Sequence, residues 1–369
     1  MLYRNIRSSD DNKETINRFI SNTPVFVCVI SYTETSQIPG ITAAGTNPDL
    51  ITFTPAADAE FLYYGKCKSI SGVPVTPDGI PTPALITRAA LLRSKIPKLI
   101  VDAGSKIKPR VPAVSFGINH GENIMEKRAM SHADAEKAFE YGKMFGIQLG
   151  MMNDLVIVGE SVPGGTTTAL AVLTGFGINA KYKVSSSMKT NPHELKNQVV
   201  SIALERMKDI SNFTSEPLDL VSNIGDPMLP SVAGIASGAV SQGVKVILAG
   251  GTQMTAVLCL LNELKVPLEK ICIGTTSYVQ EDKSSDIKYL VNSICDSVPI
   301  LSIDLGLEFS ANEGLKKYKT GIAKEGVGAG GSTIAATLKK RSNLDSSSLL
   351  ASIDSEYEST IQKYQHDHK

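Results

Sequence analysis

Four consecutive aliphatic residues, Leu155-Val156-Ile157-Val158, run into Gly159-Glu160-Ser161-Val162-Pro163-Gly164-Gly165 and then Thr166-Thr167-Thr168. An unbroken apolar run of this kind reads as a strand buried on both faces, and so as a parallel strand beneath helices. The threonines open an apolar helix that continues through Leu173. Strand, glycine-rich turn and helix in that order constrain the chain to an α/β fold. The turn suits an anion, because glycines let the backbone approach it and the first helical amides have no intrahelical partner. Glu160 adds a carboxylate that a bare phosphate cradle does not need; a ligand with an anionic end and a polar sugar would use both. The bland alternative is a tight strand-to-helix turn that binds nothing, common in such folds.

Other phosphate loops do not fit. No lysine follows Gly164 or Gly165 as a Walker A loop requires. Gly159, Gly164 and Gly165 also fall at the wrong offsets for a dinucleotide fingerprint. Lys+Arg and Asp+Glu each number 37, so no basic excess favours nucleic acid. Cys28, Cys67, Cys259, Cys272 and Cys295 are scattered, without a Cys-x-x-Cys pair, and read as reduced core residues rather than metal ligands. The histidines give no zinc spacing, and His366 and His368 fall in a polar tail. No metal and no cofactor is expected. The first twenty residues are polar, with Asp10 and Asp11, and no apolar run reaches a membrane span. A cytoplasmic protein without membrane contact is the expectation.

Strand-like runs recur at Val25–Ser31, Leu99–Asp102, Leu155–Val158, Val244–Leu248, Ile271–Gly274 and Ile300–Ile303, with helical patterns between several of them. That alternation predicts a doubly wound, mostly parallel, Rossmann-like three-layer α/β sheet. Residues 23–304 are expected to form the α/β domain, with 1–22 plus 305–369 as a small, mainly helical subdomain. Ser131 and Asp134 form a capping signature for a helix carrying Ala138, Phe145 and Leu149. Pro230 is expected to start a small-residue helix that Gly243 stops, and Val244–Leu248 then leads into Ala249-Gly250-Gly251-Thr252. Asp226, before Pro227, reads as a turn residue more than as a site residue. Residues 40–98 are rich in proline, most densely over Thr76–Pro83, and such a segment covers an edge or lines a pocket. Leu350, Ile353, Tyr357, Ile361 and Tyr364 mark one helical face near the end.

A second glycine-rich segment with one carboxylate is Glu325-Gly326-Val327-Gly328-Ala329-Gly330-Gly331. Alone it reads equally well as a solvent loop. Taken in order, however, four segments resemble the nicotinate-nucleotide–dimethylbenzimidazole phosphoribosyltransferase family. Arg128-Ala129-Met130-Ser131 is similar to its Ala-Met-Thr helix start. Gly159–Thr167 is similar to its Gly-Glu-Met-Gly-Ile-Gly-Asn-Thr-Thr loop. Val232–Val240 with Val246–Gly251 is similar to its small-residue helix and Asp-Gly-Phe strand end, and Glu325–Ala329 to its Glu-Gly-Thr-Gly-Ala signature. The likeness spans residues 128–330. Ser161, Val162 and Gly165 replace the family's Met, Gly and Asn, and Ala249 and Gly251 its Asp and Phe. The position of the family's phosphate-binding lysine falls at Gln198, with Lys189 and Lys196 close by. The pattern is that of a divergent, archaeal-type member.

The resemblance implies phosphoribosyl transfer from nicotinate mononucleotide to 5,6-dimethylbenzimidazole or a related base, giving α-ribazole phosphate for the cobamide lower ligand. It implies Glu325 as general base and Glu160 beside the ribose. It implies phosphate and ribose contacts from Gly159, Gly164, Gly165, Thr166, Thr167, Gly250, Gly251, Gly326 and Gly328. It also implies a homodimer. Two readings stay open beside it: the same fold with another acceptor (adenine, a phenol or another azole), or a nucleotide-binding protein without catalysis.

Overall fold

The computed structural model describes residues 3–5, 13–43, 48–75, 79–208 and 216–364. Asp10, Asp11, the Thr76-Pro77-Asp78 part of the proline-rich stretch, and the tail histidines His366 and His368 lie outside them. The strands are β1 (Tyr3–Asn5), β2 (Pro24–Ile30), β3 (Lys98–Asp102), β4 (Val114–Ser115), β5 (Leu155–Ser161), β6 (Lys245–Ala249), β7 (Ile271–Thr276) and β8 (Ile300–Ile303). They form one sheet in the order β1-β8-β7-β6-β5-β2-β3-β4. All neighbours pair in parallel except β1, which lies antiparallel on β8. The expected doubly wound three-layer architecture is therefore present.

Every central strand is buried on both faces, which explains the unbroken apolar runs. In β2, Val25, Val27 and Val29 enter one core while Phe26, Cys28 and Ile30 enter the other. Helices α1 (Thr54–Tyr64), α2 (Ala84–Ser94), α8 (Ala329–Leu338) and α9 (Ser346–Tyr357) cover the face of Phe26. Helices α3 (His132–Met152), α4 (Gly165–Gly175), α5 (His193–Lys208), α6 (Met228–Ser241) and α7 (Gln253–Glu263) cover the opposite face. Among the described residues no helix is long and apolar enough to cross a membrane.

The small-residue helix α6 packs backbone to backbone on α3. A Cβ on Gly146 would sit 2.1 Å from the Ile235 carbonyl oxygen, and one on Gly234 would sit 2.1 Å from that of Phe139. Both contacts are with backbone, which cannot swing aside. Gly146→Val is therefore expected to lower stability by about 1–3 kcal/mol or more through overpacking, read as an earlier urea midpoint. An unchanged midpoint would mean that α3 and α6 separate without cost.

Three details differ from the sequence pattern. Strands β1 and β4 carry three and two residues, too few to show alternation. Helix α6 begins at Met228, so Pro230 sits inside the first turn, where its missing N–H costs nothing. Near the C-terminus Leu349 is fully buried, whereas Leu350 is half-buried. Ile353, Tyr357 and Ile361 follow at four-residue steps on the same face, the last of them within a π turn over Glu358–Gln362.

The winding reverses between β2 and β5. Chain segments after β2 step outward to β3 and β4, whereas β5 to β8 step the other way. Crevices at such a reversal, beyond the carboxyl ends of the strands, are where open α/β sheets bind ligands.

Candidate active site

A cavity of about 530 Å³ opens at that crevice, within the usual range for small-molecule sites. Its floor comes from the end of β5. Glu160 and Ser161 are the last strand residues, and Gly164 caps α4 in the left-handed region at φ 74°. A Cβ on Gly164 would lie 2.9 Å from the Ser36 Cα, so only glycine fits this turn. Gly165 and Thr166 continue the floor along the start of α4.

The Glu325 loop closes over Glu160. The Val327 amide donates to the Glu160 carbonyl oxygen at 2.9 Å, and the Thr87 hydroxyl donates to the Val327 carbonyl. Gly326, Val327 and Gly328 all take positive φ, 149°, 51° and 70°. For Val327, a β-branched residue, this is a strained conformation of the kind that surrounding contacts must hold. Gly328 packs on Gly159, whose Cβ would meet the Gly328 Cα at 2.9 Å. The two acidic segments predicted to meet, 165 residues apart in sequence, are thus joined backbone to backbone and line one cavity.

Of the residues singled out in the sequence, Glu160, Gly164, Gly165, Thr166, Gly251, Glu325 and Gly326 line the cavity. Gly159, Thr167, Gly250 and Gly328 lie beneath its surface, outside the lining. Gly159 and Gly328 space the two loops, and Gly250 fits against Met254. Thr167 is fully buried, and its hydroxyl, like that of Ser36, has no hydrogen-bond partner among the described residues.

The carboxylates are unusual in number and burial. Burial, reinforced by the negative charge of Asp226 and then Glu325, pushes Glu160 up to about 8, with Val162 and Gln253 countering part of the effect. Burial also pushes Glu325 up to about 7, opposed by the amides of Gly330, Gly326 and Thr276. The Gly330 amide meets Oε1 at 3.1 Å, and the Thr276 amide meets Oε2 at 3.0 Å. Asp226 is completely buried beside this group, is raised to about 6 chiefly by burial, and accepts the Thr168 hydroxyl. As the Asp-Pro turn predicts, Asp226 also accepts the Met228 amide at 3.0 Å where α6 begins; its burial beside Glu160 is what the sequence did not show. Among the described residues, no set of His, Cys, Asp and Glu side chains is arranged to hold a metal ion.

Asp58, on α1, was not singled out from sequence. It lines the cavity and is buried, accepting the Thr82 hydroxyl on Oδ1 at 2.8 Å and the Ser161 hydroxyl on Oδ2 at 2.7 Å. Burial raises it to about 6. The available signal was two acids, Asp58 and Glu60, within an otherwise apolar helix of small residues. Around Asp58 the wall is apolar, from Ile41, Leu50, Phe53, Val73 and Val75. The proline-rich segment therefore lines the pocket.

Ser185, Ser186, Ser187 and Lys324 give the lining a polar part. Lys324 pairs with Asp282 at 3.3 Å. Behind this part the fully buried Lys196 donates to the Ser185 carbonyl at 2.6 Å. Burial and then the charge of Lys324 bring it down to about 7. Gln198 and Lys189 are exposed on the surface, and Lys196 supports the site from behind through Ser185 without lining the cavity.

Four raised carboxyls have a thermodynamic consequence. Above about pH 5 the folded chain keeps protons that the unfolded chain has released, on Asp58 and Asp226 up to about 6, on Glu325 up to about 7 and on Glu160 up to about 8. Their contribution, whole below about pH 4, is lost as pH rises. The thermal midpoint of the unliganded protein is expected to fall across this window, and Glu160→Gln is expected to flatten the fall. A midpoint rising from pH 5 to 7 would contradict these protonation states.

Residues 92–290 match the family model DBI_PRT, described as phosphoribosyltransferase. A UPF0284 protein of Archaeoglobus fulgidus is 42% identical over 361 residues, covering 98% of this chain and 100% of that protein. One from Saccharolobus solfataricus is 44% identical over 337 residues, covering 91% and 93%. Among solved structures, nicotinate-nucleotide–dimethylbenzimidazole phosphoribosyltransferase of Thermus thermophilus aligns with a TM-score of 0.58 at 18% identity, over 86% of this chain and 83% of that one. A structure described as CobT from the same organism aligns with a TM-score of 0.62 at 16% identity, over 92% and 89%. At these identities the solved structures establish a shared fold.

Proposed function

This chain belongs to the DBI_PRT phosphoribosyltransferase family, as an enzyme of its UPF0284 group, and we propose that it moves phosphoribose from nicotinate mononucleotide to an aromatic base. The acceptor is 5,6-dimethylbenzimidazole or a related azole, and the product is the α-ribotide used for the cobamide lower ligand. One observation carries the reading. A single cavity is lined by the start of α4, by Ser185–Ser187 and Lys324, by the apolar Ile41, Leu50, Phe53, Val73 and Val75, and by the buried carboxyls of Asp58, Glu160 and Glu325. The first turn of α4 and Lys324 suit the phosphate. The apolar slot suits a flat ring, and Glu160 suits the ribose. The Thermus thermophilus nicotinate-nucleotide–dimethylbenzimidazole phosphoribosyltransferase, which shares the fold, lends further support.

In the reaction the bond from C1′ to the nicotinate nitrogen breaks, and one from C1′ to an acceptor nitrogen forms. Positive charge develops on the sugar, as in glycoside chemistry, and Glu160, which burial keeps largely protonated at neutral pH in the free enzyme, is suited to hydrogen-bond a ribose hydroxyl. Nicotinate leaves as its pyridinium charge is neutralised. The acceptor loses a proton from its other ring nitrogen to a carboxylate acting as general base.

Two carboxylates suit that role. Glu325 is the one implied by family resemblance, and its raised pKa fits a base at neutral pH. A specific observation favours Asp58 as the second reading. Both Glu325 oxygens accept fixed backbone amides, which hold its charge and tie it to the start of α8. Asp58 accepts only rotatable hydroxyls, and it stands on the apolar wall where the ring would lie.

The test is incubation with nicotinate mononucleotide and a panel of benzimidazoles, purines and phenols, followed by assay of released nicotinate and of the ribotide. Nucleotide binding without nicotinate release from any base would leave a non-catalytic binder. The reading also carries a cytoplasmic homodimer, which sedimentation of the purified enzyme checks.

A further inference from the structure

Helix α1 carries a second buried carboxylate two residues beyond Asp58. Glu60 is wholly inaccessible, and it does not line the cavity. Its Oε2 accepts the Lys68 amide at 2.6 Å, the Ser69 amide at 2.7 Å and the Ser69 hydroxyl at 3.0 Å. Its Oε1 accepts the Arg110 amide at 2.9 Å. A buried charge met by four donors is strongly held, and each such bond to an ionised acceptor is stronger than a neutral one.

What these donors belong to gives Glu60 its importance. Ser69, Ile70, Ser71 and Val73–Val75 form one side of the apolar slot. The segment is fixed at its start by Glu60. At its far end the Thr82 amide donates to the Pro74 carbonyl at 2.8 Å, and the Thr82 hydroxyl donates to Asp58. Both ends of the wall therefore return to carboxylates of the same helix, one directly and one through Thr82. From outside, Tyr364 lies against Gly72, within 3.7 Å of where a Cβ would stand.

We infer that Glu60 is a positioning residue for the acceptor base: it sets the distance between the Ser69–Val75 wall and Asp58, and so the width of the slot that takes the ring. This rests on the reading above that the apolar end receives the acceptor. Glu60 touches neither substrate. It acts on acceptor affinity through the wall and leaves the sugar-phosphate half, built from β5, α4 and the Glu325 loop, undisturbed.

Glu60→Gln keeps the size but presents an NH₂ group to one set of amide donors. In the full-length enzyme, the KM for the acceptor at saturating nicotinate mononucleotide is expected to rise about tenfold or more, the equivalent of one lost charge-assisted bond. kcat and the KM for nicotinate mononucleotide should stay within about twofold. The amides of Lys68, Ser69 and Arg110 should exchange faster with deuterium. A merely structural role would lower the active fraction and the thermal midpoint with the acceptor KM unmoved, and that result overturns the inference. Should this variant not fold, Ser69→Ala removes one donor with Glu60 in place. A rise of about threefold confined to acceptor KM supports the inference, and no rise overturns it. Wild-type enzyme that releases no nicotinate with any base counts against the transfer reading. Wild-type activity with an unmoved acceptor KM in the variants counts against Glu60 alone.

Discussion

Asp58→Asn is expected to lower kcat by about 10²–10⁴-fold, the usual contribution of a general base, while nicotinate mononucleotide still binds. The change is nearly isosteric, and the amide can still accept the Thr82 or Ser161 hydroxyl. Glu325→Gln in the same assay is expected to cost less in kcat and more in thermal midpoint, because its oxygens hold the Gly330 and Thr276 amides. The reverse ranking would return the proton to Glu325. A pH profile gives an independent discriminant. A base works when ionised, so kcat/KM rises with pH through the base's pKa in the free enzyme. The midpoint of that rise is expected near 6 for Asp58 and near 7 for Glu325. The Asp58→Asn enzyme should lose the limb that belongs to Asp58.

The second large effect is expected from a residue outside the cavity lining. Gly328→Val should reduce kcat/KM by about 100-fold or more and also lower the thermal midpoint. Gly328 has φ 70°, and a Cβ there would meet the Phe26 ring at 2.9 Å and the Gly159 Cα at 3.1 Å. Valine in that region carries a backbone penalty of about 1–2 kcal/mol, to which overpacking adds. The relief available is to lift the loop, which carries Glu325 away from Glu160. A shift of about 1 Å at a reacting centre can cost 10²-fold. Retained kcat/KM in a folded Gly328→Val protein would show that the close approach of the two loops is dispensable for transfer.

The fold was legible where periodicity had room to show itself. Buried parallel strands appear as unbroken apolar runs, so β2, β3 and β6–β8 were readable to within a residue or two, whereas β5 runs three residues past its apolar run, through Gly159, Glu160 and Ser161. Strands β1 and β4 were not, being too short to carry a pattern. The glycine loops were legible as anion-binding turns, but the sequence could not separate glycines that face a ligand from glycines that let two backbones touch. Gly164 and Gly326 line the cavity, whereas Gly159 and Gly328 serve the contact beneath it. Asp58 and Lys196 were harder still. Each matters because folding buries it against a particular wall; Asp58 with Glu60 in an apolar helix was a faint sign of that, and Lys196 carried none. Asp226 was visible as a residue type, yet its Asp-Pro context pointed to a turn.

The amide of Val327 bound to the carbonyl of Glu160 makes the nucleotide-facing half of the crevice behave as one stiff casting, formed from the middle and the last third of the chain. The apolar part, which the proposed transfer gives to the acceptor ring, is drawn almost wholly from residues before number 84. Grafting that opening stretch from one UPF0284 relative onto the remainder of another should therefore exchange which ring is accepted and keep the same sugar donor. Nature could vary its choice of base by the same route, editing the front of the polypeptide while the rest stands still.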